Sequence, residues 1–388
     1  MNPNRSALVP VGRRAAVAAV ATAALVAGCG GGGTSRGPDS DASRRAAGCP
    51  AVLAAAKAAV ARAERTDAAW TGPTTGPPAA PGKRLVYVAQ TMTNPGVAGV
   101  AAGVRQAAAV AGWQVRVIDG EGTPAGIQAA LSQAVTLRPS GIVIGGFDPQ
   151  LTARQLARAG AAGIPVVGWH AVSTPGPSTR PALFTNVTTR VAEVARISAD
   201  WVIAESGGGG GVVVFTDDSI PFARNKSELI KRRLADCPGV RLLATENIPI
   251  PDATQRTPQE VSSLLARFGD RWTHSVAIND LYFADAAPAL RAAGLPGEGP
   301  PVNIGAGDGD PSAFQRINSR AYQAATVPEP LAQQGWQTVD ELNRAFAGRP
   351  PSGYVAPVHV VTAANSGGAT SWDPPGYQEA YRRIWRGE

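Results

Sequence analysis

Hydrogen-bonding side chains gather at six places in the chain, each directly after a short apolar run. They supply hydroxyls, amides, an imidazole, a guanidinium and carboxylates, which suit the binding of a hydroxyl-rich molecule. A charge-assisted hydrogen bond contributes about 1.5–3 kcal/mol, so a few such groups would dominate affinity. The six stretches are QTMTN (90–94), GGFD (145–148), GWHAV (168–172), TDDSIPFARN (216–225), IND (278–280) and GAGDGD (305–310). Their chemistry suits either ordinary helix caps or the walls of a binding site.

Catalysis has weaker support in the same residues. Asp217 and Asp218 together with Asp308 could supply paired carboxylates for glycoside hydrolysis. However, the sequence has no Gly-x-Ser-x-Gly elbow and no Cys/His cluster with zinc-ligand spacing. Binding explains the acids with fewer assumptions, so we expect no enzyme activity, no metal and no cofactor.

Strand and helix patterns alternate from Lys83 onward, and the alternation restarts near Thr185. This pattern predicts βαβ units and therefore an α/β fold with two doubly wound parallel-sheet lobes joined by a hinge. In such sheets ligands bind beyond the carboxyl ends of the strands. All six polar stretches fall at such ends, which favours one shared binding site over a series of unrelated helix caps.

Several motifs resemble one known family in order and spacing: YVAQTMTNPG, IVIGGFD, PVVGWH, FAR, AIND, NIGAGDGDP and AATVPEP. They are similar to the ribose-binding type of periplasmic sugar-binding protein, the solute receptor of ABC importers. The resemblance covers roughly residues 83–365 and implies the type I periplasmic-binding-protein fold. The segment WTGPTTGP (70–77) resembles a subgroup with an additional N-terminal extension.

The resemblance implies a set of ligand-binding residues at the strand ends and at the hinge. Glu329 takes a hinge-side position where relatives often have Gln. The implied residues are Thr91, Asn94, Trp169, His170, Arg224, Asn279, Asp280, Asp308 and Glu329. We expect them to hold a sugar or polyol between the two lobes, which close over it.

Four of these positions also have a purely structural interpretation. Asn94 could simply cap the following helix, and Trp169 could belong to the core. Arg224 could be a solvated helix-surface arginine. Asp308 could cap the helix that follows it, although Asp310 is better placed for that role.

One departure from the family pattern concerns the stacking of a sugar ring. Gly96 and Val97 stand where sugar-binding relatives usually carry aromatic residues. Another aromatic must replace that wall if a ring is to stack there. The candidates are Phe147, Phe222, Tyr282 and Trp70. Ribose itself is therefore less well supported than smaller polyols, modified sugars or another polar solute.

The N-terminus predicts export. Arg5, Arg13 and Arg14 precede a short apolar run that ends in LVAGC, which resembles the lipobox of bacterial lipoproteins. This predicts lipidation of Cys29 and anchoring to the outer face of the cell membrane, against the alternative of an ordinary signal peptide. Secretion by the general or the twin-arginine route stays open.

The predicted organisation follows from these patterns. It comprises a signal peptide (1–28), a flexible tether (29–48), an N-terminal helix with a proline-rich connector (49–82), a first lobe (83–184 with 330–358) and a second lobe (185–329 with 359–388). Cys49 and Cys237 remain after lipidation of Cys29. In an oxidising compartment they could form a disulfide or remain free thiols, and the sequence does not separate the two.

Charge and the N-terminus exclude nucleic-acid binding. The net charge is +7, but the basic residues are scattered among acids and form no basic patch. A repressor of the same fold would need an N-terminal helix-turn-helix, and a signal peptide stands there instead. We expect a monomer with an ABC permease as its partner. A sensory lipoprotein that presents its ligand to a membrane receptor or kinase is the alternative.

Overall fold

The computed structural model describes residues 49–66 and 69–388, so the predictions for the signal peptide, the tether and Cys29 lie outside the described residues. The helices are α1 (Pro50–Ala63), α2 (Pro95–Val110), α3 (Pro124–Thr136), α4 (Ala153–Ala161), α5 (Val191–Glu205), α6 (Pro221–Ala235), α7 (Ala253–Phe268), α8 (Leu281–Ala292), α9 (Pro311–Asn318), α10 (Leu331–Phe346) and α11 (Tyr377–Arg386). The strands are β1 (Arg84–Ala89), β2 (Gln114–Asp119), β3 (Gly141–Gly145), β4 (Val166–Trp169), β5 (Gly176–Thr179), β6 (Ala182–Val187), β7 (Gly210–Thr216), β8 (Val240–Asn247), β9 (His274–Ala277), β10 (Val302–Gly305), β11 (Ala325–Thr326) and β12 (Val361–Thr362).

The strands form two sheets, one in each lobe. The lobe 1 sheet has the order β2-β1-β3-β4-β6-β5 and the lobe 2 sheet the order β12-β11-β10-β9-β7-β8. Each sheet is parallel except at one edge, where β5 pairs antiparallel with β6 and β12 with β11. The central strands are buried along their length because helices cover both faces, as expected for runs of apolar residues.

A close helix contact builds the hinge side of lobe 1. Helix α10 packs on α2, and glycines at the crossing let the two backbones approach. A Cβ atom on Gly103 would lie 2.8 Å from the carbonyl oxygen of Ala332, and one on Gly335 would lie 2.6 Å from the backbone of Gly103. Larger residues at these two positions would force the helices apart. The crossing therefore depends on both glycines.

The lobe boundaries differ from the predicted ones in two places. Strand β6 continues to Val187 in the first sheet, so lobe 1 extends past residue 184. The C-terminal tail was assigned to lobe 2 as a whole, and this is correct only for β12, which pairs with β11. Helix α11 packs on lobe 1 instead.

Aromatic stacking explains the position of α11. Its apolar face contains Tyr377, Tyr381 and Trp385, and the Trp385 ring stacks on Trp336 of α10 with centroids 5.4 Å apart. The Trp385 indole N–H also donates to the buried carboxylate of Asp340 at 2.9 Å. These three residues lie on one helical stripe and bury together against α10, which the sequence of the tail alone could not indicate.

The N-terminal extension begins on lobe 2. Helix α1 packs against α5, and a disulfide joins Cys49 to Cys237 just after α6. The amide N–H of Val360 donates to the carbonyl oxygen of Ala63 at 2.9 Å, which ties the end of α1 to the segment that enters β12. The extension is therefore held covalently and by packing.

The proline-rich connector then lies on lobe 1 without regular secondary structure. Trp70 packs against Tyr354, Tyr377 and Tyr381, with ring centroids 5.0–6.5 Å away. The Asn343 side chain accepts from the Ala80 N–H and donates to two carbonyl oxygens, those of residues 77 and 78. One buried amide thereby satisfies a stretch of backbone that has no sheet or helix partners.

Within these described ranges, no helix is long and apolar enough to cross a membrane.

Candidate functional site

The carboxyl ends of the strands of both lobes face one another across a small cleft. Between them lies a cavity of about 40 Å³. It is lined by Asn94, Gly146, Trp169, His170, Ile220, Phe222, Ala223, Lys226, Ile250, Ile278, Asn279 and Asp308. A larger cavity of about 360 Å³ lies beside Trp201 and Arg320 in lobe 2, but it opens at the amino end of β10. The cleft is the candidate site because polar groups from both lobes converge there.

Asn94 caps a helix and also contacts the opposite lobe. Its Oδ1 caps α2 by accepting the Gly96 N–H at 3.0 Å. The same oxygen lies 3.4 Å from the Nδ2 of Asn279 in lobe 2. Asn279 also donates to the Asp308 carboxylate. These three side chains form a continuous hydrogen-bonded contact between the lobes.

An aromatic stack lines the opposite side of the cavity. The His170 ring lies parallel to Trp169, with centroids 4.0 Å apart, and faces Phe222 of lobe 2 at 4.3 Å. Of the aromatics considered as a substitute stacking wall, Phe222 is the one that lines the cleft. Phe147 and Tyr282 are core residues and Trp70 lies on lobe 1.

Glu329 lies between the chain segments that cross from lobe to lobe. Its carboxylate accepts from the Thr189 hydroxyl at 2.7 Å and from the Gln334 amide at 2.8 Å. Burial opposes ionisation of Glu329, but His170, Lys226 and the hydrogen bond from Thr189 outweigh it and lower its pKa to about 2. The site therefore contains a fixed negative charge at the hinge.

The His170 ring lies close to that charge. Its Nε2 is 3.5 Å from the Glu329 carboxylate. Burial lowers the pKa of His170 and so favours the neutral imidazole, while the facing Glu329 carboxylate opposes that shift. A neutral imidazole can both donate and accept hydrogen bonds.

Lys226 is a site residue that the sequence reasoning missed. Its Nζ donates to the carbonyl oxygen of Ala306 at 2.5 Å and lies 5.0 Å from the centre of the Phe222 ring. Burial lowers the pKa of Lys226, while Glu329 and Asp308 oppose that shift. Lys226 follows Phe222 by four residues on α6 and so shares its buried face. That spacing was the available signal.

Asp308 is the carboxylate nearest to the cross-lobe contact. Its backbone is in the left-handed region with φ of 69°, which turns its side chain toward Gly96 of lobe 1. Burial and the nearby Asp280 raise the pKa of Asp308 to about 8, despite the opposing charge of Lys226. Helix α9 is capped by Asp310, which accepts the Ser312 N–H, so Asp308 does not serve as the cap.

Asp280 lies beneath the cavity and not in its lining. Its carboxylate accepts from the Gly309 N–H at 2.7 Å and from the Thr326 hydroxyl at 3.1 Å. Burial, with the charge of Asp310, raises its pKa to about 7. The structure thus places Asp280 where it shapes the loop that carries Asp308.

Two other implied residues also lie outside the lining. Arg224 is exposed on α6, on the face opposite Lys226, as its solvated alternative supposed. Thr91 is buried and shares a hydrogen bond of 2.9 Å with the Thr93 hydroxyl. The structure therefore brings together Asn94, Trp169, His170, Asn279 and Asp308, with Glu329 behind them.

Among residues 49–66 and 69–388, no group of three or more His, Cys, Asp or Glu side chains is arranged to hold an ion.

Comparison with known proteins agrees with this geometry. A family model described as a periplasmic binding protein domain matches residues 85–350. A search of curated proteins finds no match. The chain belongs to the periplasmic binding protein domain family, and its two-lobed α/β architecture is the type I fold of that family. The resemblance and the fold class inferred from the sequence are confirmed.

Solved structures with this fold include several sugar-transport receptors. A solute-binding protein of Agrobacterium vitis bound with α-D-tagatopyranose is 17% identical with a TM-score of 0.65, covering 74% of this chain and 96% of that one. A second from Agrobacterium vitis, with bound allitol, is 20% identical with a TM-score of 0.62, covering 78% and 99%. A third, from Actinobacillus succinogenes 130z with bound D-allose, is 16% identical with a TM-score of 0.65, covering 73% and 99%.

The buried acids predict a pH dependence of stability. The folded pKa values of about 8 for Asp308 and about 7 for Asp280 lie above the value of about 4 for an unfolded Asp. The folded protein therefore binds more protons than the unfolded chain between these values, and stability falls as pH rises through that window. Urea denaturation should show lower stability at pH 8.5 than at pH 5.5. Asp308→Asn should make the fall smaller, and an unchanged slope would show that Asp308 is not its source.

Proposed function

We propose that the protein is an extracytoplasmic solute-binding lipoprotein of an ABC importer that captures a sugar or polyol between its lobes by hinge closure. The observation that carries the proposal is the contact of Asn94 with Asn279 and Asp308, in which polar side chains of both lobes converge. A ligand that bonds both lobes at once favours the closed arrangement by its differential affinity.

The polar groups of the cleft suit a hydroxyl-rich ligand. Asn94 and Asn279 supply amides, Asp308 an acceptor, and Lys226 an ammonium with a third N–H beyond the two that meet backbone carbonyls. Trp169 and Phe222 supply apolar faces for the C–H side of a sugar. Tagatopyranose, allitol and D-allose, which the similar receptors bind, are ligands of this class.

A hydrolase has less support. The Asp217 carboxylate accepts the N–H groups of Ser219 and Ile250 at 2.9 Å each, and so is used within its own loop. It is not in the cleft lining with Asp308. The sensory lipoprotein stays the second candidate because its ligand site would have the same chemistry, and a neighbouring permease and ATPase gene would favour the importer.

Ligand screening tests the proposed function directly. We expect at least one member of a panel of D-allose, allitol, D-tagatose, D-ribose, L-arabinose and D-galactose to raise the melting temperature. A ligand at 100 times its Kd adds about 2.7 kcal/mol to the free energy of unfolding. The bound compound should be recovered unchanged by chromatography. A panel without any thermal shift, or a ligand that is converted, would contradict the proposal.

The cleft role of Asn94 is separable from its capping role. Asn94→Ala should weaken ligand binding by about 1–3 kcal/mol because a desolvated hydrogen bond is lost. It should lower the free energy of unfolding by about 1 kcal/mol, as expected for a lost cap. Thr123→Ala is the matched control, since Thr123 caps α3 by accepting the Gly126 N–H at 3.0 Å away from the cleft. Calorimetry should show weaker binding only for Asn94→Ala, and equal binding by both variants would reduce Asn94 to a cap.

The anchor is testable by fractionation. Cys29 follows LVAG in the lipobox-like sequence, and lipidation there would attach the protein to the membrane. In a bacterial host we expect wild-type protein in the membrane fraction and Cys29→Ser in the soluble or unprocessed fraction. Retention of acylated Cys29→Ser protein on membranes after a carbonate wash would show that Cys29 is not the anchor.

A further inference from the structure

The imidazole of His170 fills a slot between two aromatic faces from different lobes. Trp169, at the end of β4, and His170 belong to lobe 1, whereas Phe222 begins α6 in lobe 2. The His170 ring is tilted by only 9° from Trp169 and by 24° from Phe222. The gap between the two outer rings is therefore one ring thick. This is the shape that a flat or chair-like sugar ring would need.

His170 is held in this slot by stacking more than by its own bonds. Its φ of 49° lies in the left-handed region, which His adopts more readily than most residues, as Asn and Asp do. Its buried Nε2 has no hydrogen-bond partner, and the Glu329 oxygen is 3.5 Å away. This unsatisfied polar atom favours release of the ring when something else fills the gap.

The surrounding cleft leaves little further room. The cavity of about 40 Å³ is close to the space of a few water molecules, and small-molecule sites usually measure a few hundred Å³. Gly96 lies so close to Asp308 that a Cβ atom there would be 2.5 Å from the carboxylate. The slot therefore cannot accommodate a sugar ring while the His170 imidazole is in place.

We propose that His170 is an internal occupant of the ligand site and determines its specificity. The imidazole fills the slot between Trp169 and Phe222 when the lobes close without a sugar, and a ring-shaped sugar binds by displacing it. His170 thereby stabilises closure in the absence of a sugar and lowers the affinity for ring-shaped ligands more than for open-chain polyols. This inference deepens the proposed function, and the sugar-binding part of its test rests on that function.

The variant His170→Asn tests the inference because Asn tolerates a left-handed backbone and carries no ring. In small-angle scattering without added sugar, the variant should have a larger radius of gyration than wild type, since the bridge between the lobes is lost. In calorimetry it should bind D-allose about tenfold more tightly than wild type does, with a smaller gain for allitol, the open-chain polyol. His170→Gly accepts φ of 49° without strain and should give the same results. It replaces His170→Asn if that variant folds poorly.

His274→Asn is the matched control. His274 is also buried, but it lies at the amino end of β9 and contacts Thr273 and Glu205 away from the cleft. It should change neither the radius of gyration nor sugar binding. An unchanged radius of gyration in both His170 variants overturns the inference, even if no sugar binds and the proposed function fails. Weaker D-allose binding by the variants also overturns it and makes His170 a direct ligand contact.

Discussion

The buried carboxylate of Glu329 is the interaction on which the arrangement of the two lobes depends. It lies where the chain crosses from β11 to α10, and its bond to Thr189 reaches the crossing that follows β6. A buried charge is tolerated only when it is paired and hydrogen-bonded. The need to hydrogen-bond the Glu329 carboxylate therefore fixes the geometry of both crossings. Gln334 extends the network to the indole N–H of Trp169, which it accepts at 2.6 Å. The hinge and the wall of the cleft are therefore one hydrogen-bonded unit.

The cleft residues combine structural roles with a place at the proposed binding site. Asn94 caps a helix and meets the opposite lobe through a single side-chain oxygen. Asp280 has a structural role alone. Its carboxylate accepts the Gly309 N–H and so holds the loop that positions Asp308. In a parallel sheet the strand ends are both the start of helices and the edge of the site. A residue at such a position can therefore cap a helix and line the site at the same time.

Most of the fold could be predicted from the sequence, because apolar strands and periodic helices alternate without interruption from Lys83. The strand-end rule also pointed to Asn94, His170 and Asp308, which line the cleft. At α6 the family motif pointed to Arg224, but the helical face that is buried carries Phe222 and Lys226. The position of α11 could not be predicted, since it depends on stacking with Trp336, which lies far away in the sequence.

The disulfide gives the molecule an unexpected topology. Cys49 and Cys237 both lie on lobe 2 and are 188 positions apart, so the cross-link closes a loop that contains every strand of the lobe 1 sheet but only β7 of the other. In chain terms the lobe 1 sheet is an insertion whose two ends are held together on lobe 2, whereas α10 and α11 of lobe 1 lie outside the loop. A loop of this length removes roughly 5 kcal/mol of entropy from the unfolded chain by the loop-closure relation. Most of that restriction acts on the strands of the lobe 1 sheet, which in the oxidised protein unfold only within a closed loop.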